Sequence, residues 1–100
     1  MNEVITLIKR TYDGDILKEI RRDVFARLDN IGMREFYAAN AADFHPEAKF
    51  ILADYLEYDG EKLLEHNGEY FRVLRTYRDG QELELTVERA PADDFEEDEA

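Results

Sequence analysis

Two kinds of side chain in this sequence are equipped for chemistry: the imidazoles of His45 and His66, and the carboxylates Asp54, Glu57, Asp59 and Glu61 crowded into one short stretch. Two histidines fall short of a three-ligand zinc site unless carboxylates complete it, and the H-E-x-x-H spacing is absent. His45 precedes Pro46 and His66 precedes Asn67-Gly68, so both read as surface or turn residues. The four carboxylates could bind a cation or act as a general acid and base. However, Asp59 and Glu61 flank a glycine turn, where solvated acids are ordinary, and EF-hand spacing is not met.

Nucleophiles are scarce. The chain has no cysteine and no serine, and its threonines (Thr6, Thr11, Thr76, Thr86) lie within or beside strand-like runs. That argues against covalent hydrolysis, and the absence of a thiol framework fits a reducing compartment. The glycines fall at turns, with no G-x-G-x-x-G or Walker pattern to cradle a phosphate. The reading is therefore a protein that is not an enzyme and uses no cofactor or metal. Tyrosine and phenylalanine alternate with arginine in YFRVLRTYR (70–78), as in a strand that stacks bases. The next strand is acidic, so pairing of Glu82, Glu84 and Glu88 with Arg72, Arg75 and Arg78 is the better account.

The elements that must position these residues are strands. Leu83, Leu85 and Val87 alternate with Glu82, Glu84, Thr86 and Glu88, which marks a half-buried strand. Before it, Phe71, Val73 and Tyr77 fall on one face, and Asp79-Gly80 predicts a type I′ hairpin turn. KFILADYLEY (49–58) places Phe50, Leu52 and Leu56 against Lys49, Ala53 and Glu57, turns at Asp59-Gly60 into KLLEH, and turns again at Asn67-Gly68. Residues 48–90 thus read as a four-strand meander. Upstream, EVITLIKRTY (3–12) is apolar and β-branched and ends at Asp13-Gly14-Asp15. The strand after it carries Ile20, Val24, Ala26 and Leu28 on one face and Phe25 on the other. Between the two halves, Met33, Phe36, Tyr37 and Ala41 have the spacing of one helical face, Asn30 is a cap, and Pro46 ends the segment. The expected fold is mainly β: a small six-stranded antiparallel β-barrel with one short helix and loop inserted between strands 2 and 3.

One hundred residues make one domain with one modest core, here residues 1–90. The net charge is −12, and half of it lies in Asp93, Asp94, Glu96, Glu97, Asp98 and Glu99. Residues 91–100 read as an acidic disordered tail. This sign opposes phosphate binding, and the N-terminus lacks the apolar length of a signal peptide, so a soluble protein without a cleavable export signal is expected.

The order of pieces resembles the tailed-phage head–tail joining proteins, also called head closure or stopper proteins. The resemblance covers about residues 3–90. It rests on ITLIKRTY, VFARLDNIGMREFYAA, PEAKFILADYLEYDGEKLLEHNGEYFRVLRTYR and ELELTVER, most specifically on REFY, YDGEK, NGEYFRV and RTYRDGQELELTVER. It implies a structural virion protein of a phage or prophage, assembled as a homo-oligomeric ring below the portal and adaptor proteins and offering a surface to tail proteins. Such a ring closes the filled capsid, and DNA passes through it without sequence-specific binding. Its location would be the virion connector, and the host cytoplasm during assembly. The isolated chain would be a monomer or weak oligomer with no membrane partner. The resemblance also assigns the insertion between strands 2 and 3 to protein interaction and gating, through Met33, Arg34, Glu35, Phe36, Tyr37, Asn40, Asp43, Phe44 and His45. At Asp43, Phe44 and His45 the sequence departs from the family pattern of a glycine, an aliphatic residue and a lysine. The rival reading is an acidic DNA-mimic or inhibitor protein that binds a nucleic-acid enzyme, and it requires one contiguous acidic face.

Overall fold

A computed structural model describes residues 2–29 and 48–91. The nine insertion residues named above and the tail beyond Pro91 lie outside them. The described residues form six strands: β1 (Asn2–Asp13), β2 (Ile16–Asp29), β3 (Ala48–Leu52), β4 (Leu63–His66), β5 (Glu69–Asp79) and β6 (Glu82–Arg89). They close into an antiparallel barrel in the order β1-β2-β3-β6-β5-β4, as the alternation of apolar residues predicts. Closure leaves the inward rows nothing to meet but one another. Ile5, Leu7, Val24, Phe50, Leu52, Leu64, Leu85 and Val87 all enter one core. Burying each aliphatic or aromatic side chain of this set contributes about 1.5–3 kcal/mol.

The neighbours differ from the expected meander. β3 pairs with β2 and β6, not with β4, while β4 bridges β1 and β5. The strand predicted over 49–58 stops at Leu52. There Asp54 accepts a hydrogen bond from the Leu56 N–H at 2.9 Å and caps a short 3-10 helix, Tyr55–Glu57. An aspartate that bonds its own backbone competes with the ladder, so the chain bends instead of continuing. Leu56 is consequently exposed. Asp59-Gly60 belongs to a longer connection across the barrel end and not to a tight hairpin. The Tyr55 N–H donates to the Gln81 carbonyl at 2.8 Å, and the Val73 N–H to that of Lys62 at 2.9 Å.

Two turns separate by backbone geometry. Asn67 and Gly68 both have positive φ, 52° and 80°, as a type I′ turn requires. At the β5–β6 hairpin Asp79 pairs with Glu82, so the central residues are Gly80 and Gln81, and of these only Gly80 has positive φ. The expected type I′ turn at Asp79-Gly80 is therefore displaced by one residue and is not type I′.

A β-bulge between Val73 and Arg75 inserts Leu74 and reverses the facing of everything after it. Phe71 and Val73 point inward as predicted, whereas Tyr77, opposite Glu84, points out to solvent. In β2, Val24 and Ala26 are buried as expected, but Ile20 and Leu28 are exposed. Ile20 lies where β1 and β2 have run past the barrel: β1 pairs with β4 only as far as Ile8, and β2 meets β3 only from Ala26 onward.

Candidate functional site

The insertion leaves β2 at Asp29 and re-enters β3 at Ala48, and Asp29 and Lys49 are cross-strand partners. It is therefore an excursion from one barrel end, between neighbouring strands. That end also carries the β4–β5 turn, the start of β1 and the end of β6. The opposite end carries the β1–β2 arm, the 53–62 connection and the β5–β6 turn. Nothing further can be placed for Met33, Arg34, Glu35, Phe36, Tyr37, Asn40, Asp43, Phe44 or His45, which lie outside the described residues.

The acidic stretch is brought together, and the Asp54, Asp59 and Glu61 carboxylates each meet protein groups. Glu61 is 2% exposed, accepts from Arg22 Nη2 at 2.5 Å and from the Asp59 N–H at 2.7 Å, and its carbonyl accepts from the Tyr58 hydroxyl at 2.5 Å. Arg22 also donates to the Glu57 carbonyl at 2.9 Å. Lys9 Nζ reaches the Asp59 carboxylate at 3.2 Å and its carbonyl at 3.1 Å. Asp54 caps the 3-10 helix and accepts from Gln81 Nε2 at 2.7 Å. Two cations from the β1–β2 ribbon thus clamp the connection over the barrel end. Among the described residues no group of three His, Asp or Glu side chains is arranged to hold a metal ion.

His66 is not the surface residue its turn position suggests. It ends β4 with its side chain largely buried, edge-on to Phe50 with ring centroids 5.1 Å apart. Its Nε2 is buried without a hydrogen-bond partner, and the nearest carboxylate oxygen, on Glu3, stands 3.7 Å away. An imidazole ring used as an aromatic packing surface accounts for this geometry.

The arginine-rich strand pairs with acids, though not in the simple ladder expected. Arg72 meets Glu88 at 3.4 Å. The bulge then shifts the register, so that Glu82 meets Arg27 of β2 at 3.3 Å, and Arg78 stacks over the Tyr55 ring at 3.6 Å. A second network joins Glu19 to both Arg10 and Arg21, with Arg21 reaching Glu65 at 3.3 Å and the Tyr70 hydroxyl at 3.1 Å. The hydrogen bond from Arg21 holds the Glu19 carboxyl below its ordinary value, against the opposing effect of burial, and Arg10 adds to it. The same contact with Glu19, helped by Tyr70, raises Arg21. Glu65 and Tyr70 lie 44 and 49 residues from Arg21 in sequence, and no local signal marks them as its partners. A small apolar cluster on the outer wall was also missed: Ile8, Leu63 and Ala90 are buried there with Tyr70 packed against them, because the chain leaving β6 crosses that wall.

Phe25 stays on the outer face as predicted, 68% exposed and opposite the exposed Val4. Among the described residues no helix is long and apolar enough to cross a membrane. Neither a family model nor a curated protein matches this chain.

Proposed function

We propose that this chain is a structural protein of a tailed phage or prophage that joins head to tail, forming a ring below the portal and adaptor that closes the DNA-filled capsid and offers the tail its attachment surface. The observation that carries this reading is the two-ended barrel. The segment between Asp29 and Ala48 leaves from one end, and the braced β1–β2 arm projects from the other. A joint between two different assemblies needs two distinct ends on one rigid body, and a closed barrel supplies that body. The net charge of −12 suits a wall past which DNA must slide without sticking.

In this reading the protein is not an enzyme and needs no cofactor. It assembles in the host cytoplasm and ends in the virion, with portal, adaptor and tail proteins as its partners. The DNA-mimic alternative requires uncompensated carboxylates on one face. Glu19, Glu61, Glu65, Glu82 and Glu88 each lie against an arginine, which favours the joining role. Removing the protein from phage-producing cells tests the proposal. Heads should package DNA, then lose it and remain tailless. Tailed, DNA-retaining particles made without the protein would refute it.

A further inference from the structure

The barrel closes through its shortest ladder. β1 and β4 pair only from Ile8↔Leu63 to Thr6↔Glu65, so the start of β1 and the end of β4 adjoin without strand pairing between them. Across that seam, at the end from which the insertion leaves, His66 Nε2 faces Glu3 Oε2 at 3.7 Å, too long for a hydrogen bond. The nitrogen is buried and has no hydrogen-bond partner. A phenyl ring at this position would pack on Phe50 as the imidazole does and would bury no polar atom. What the imidazole adds is the capacity to take up a proton between about pH 5 and 8.

The charges around the ring leave Glu3 as its counter-ion. Directly opposite His66 on β5, Glu69 is held by Arg89 of β6 at 2.8 Å. Glu65 of β4 meets Arg21, and Glu88 of β6 meets Arg72. Lys49 of β3 stands opposite Asp29 of β2. The Glu3 carboxylate has no other ion pair or hydrogen bond among the described residues, and its side chain is 29% exposed. A shift of about 1 Å brings it to charge-assisted bonding distance.

We propose that His66 and Glu3 form a proton-operated latch across the β1–β4 seam. A proton taken from solvent leaves N–H groups on both ring nitrogens, whichever tautomer preceded it. Nε2 then donates to the Glu3 carboxylate, and carboxylates ordinarily titrate at lower pH and so keep their charge in this range. The bond ties the first residues of β1 to the end of β4 and tightens the mouth that carries the insertion. Deprotonation removes the positive charge and with it the attraction, and the seam relaxes. Because the pairing belongs to the protonated ring, its contribution is present at the acidic end of the range and is lost as pH rises. Burial opposes the charge, so the latch is read from the coupling between the two side chains and not from stability as such. It rests on the barrel alone and stands or falls independently of the joining role.

A double-mutant cycle on the full chain tests it: wild type, Glu3→Gln, His66→Phe and the double variant, unfolded in urea at about pH 8 and about pH 5.5 and followed by circular dichroism. At the higher pH the two substitutions should act independently. At the lower pH their coupling should reach about tenfold in the unfolding equilibrium constant, as for a charge-assisted hydrogen bond. Nuclear magnetic resonance of the isotope-labelled wild type gives a second reading that needs no variant to fold. The Glu3 carboxyl carbon and the His66 ring nitrogens should change over the same pH interval. A coupling equal at the two pH values, or absent at both, would overturn the proposal, as would a Glu3 carboxyl resonance that ignores the titration of the ring.

Discussion

Glu61 gives the sharpest test of how the barrel end is held. Its carboxylate is buried, and it accepts one charge-assisted bond from Arg22 and one from the Asp59 N–H. Glu61→Gln keeps an acceptor for the amide and loses the charge-assisted bond, worth about 1.5–3 kcal/mol. The Arg22 side chain is 41% exposed and regains water, so the lower part of that range applies, about 1.5–2 kcal/mol. Glu61→Leu removes both acceptors, so the part-buried Asp59 amide also loses its partner, which raises the cost to about 2–3.5 kcal/mol. At about 4–8 °C per kcal/mol for a domain of this size, the midpoint should fall by roughly 6–16 °C for Gln and further for Leu. Urea unfolding followed by circular dichroism, with the slope m unchanged, measures the loss directly. Arg22→Met combined with Glu61→Leu should recover part of it, because a buried ion pair replaced as a pair leaves no orphaned charge. A Glu61→Leu variant as stable as the wild type would show that the clamp contributes nothing.

Because Glu19 is held below its ordinary value, its contribution to stability is present above that value and is lost as pH falls through the lowered one. Glu19→Gln should therefore flatten the acid limb of a stability–pH profile and change stability at pH 7 in the direction of loss. Phe50→Ala, at a fully buried position in contact with both His66 and Phe71, should cost about 3–5 kcal/mol by chemical denaturation. Truncation after Pro91 should leave the thermal midpoint nearly unchanged, since the lost residues carry mutually repelling acids and the buried Ala90 is retained. A large loss would show that the tail packs.

The barrel was legible because alternation survives wherever a strand has one face in a core: Leu83, Leu85 and Val87 announce β6, and Asn67-Gly68 announces the β4–β5 turn. Strand order was not, because a period of two says that a face is buried without saying which strand lies beside it. Asp59-Gly60 illustrates this, since a dipeptide suited to a tight hairpin serves equally as a bend in a connection. Leu74 carries no local mark of being an extra residue, yet it alone sends Tyr77 outward. Ile20 obeys the alternation and is still exposed, because alternation cannot report where the barrel stops and the arm begins. The acidic stretch was found by composition, but its role depends on Arg22 and Lys9, which only folding brings near. His66 was misread for a similar reason: a residue before a turn is usually solvated, and only barrel closure sets Phe50 against it. The helical face of Met33, Phe36 and Tyr37 is read from spacing, whereas the gating role of the insertion comes from resemblance.

The proposed role is a position in a particle, which electron cryomicroscopy of DNA-filled, tailed particles from cells producing this protein would image. A ring of this chain should lie between the portal and adaptor on one side and the tail on the other, with barrel ends facing the two assemblies. Particles that hold their DNA and bear tails while lacking this chain at that junction would contradict it.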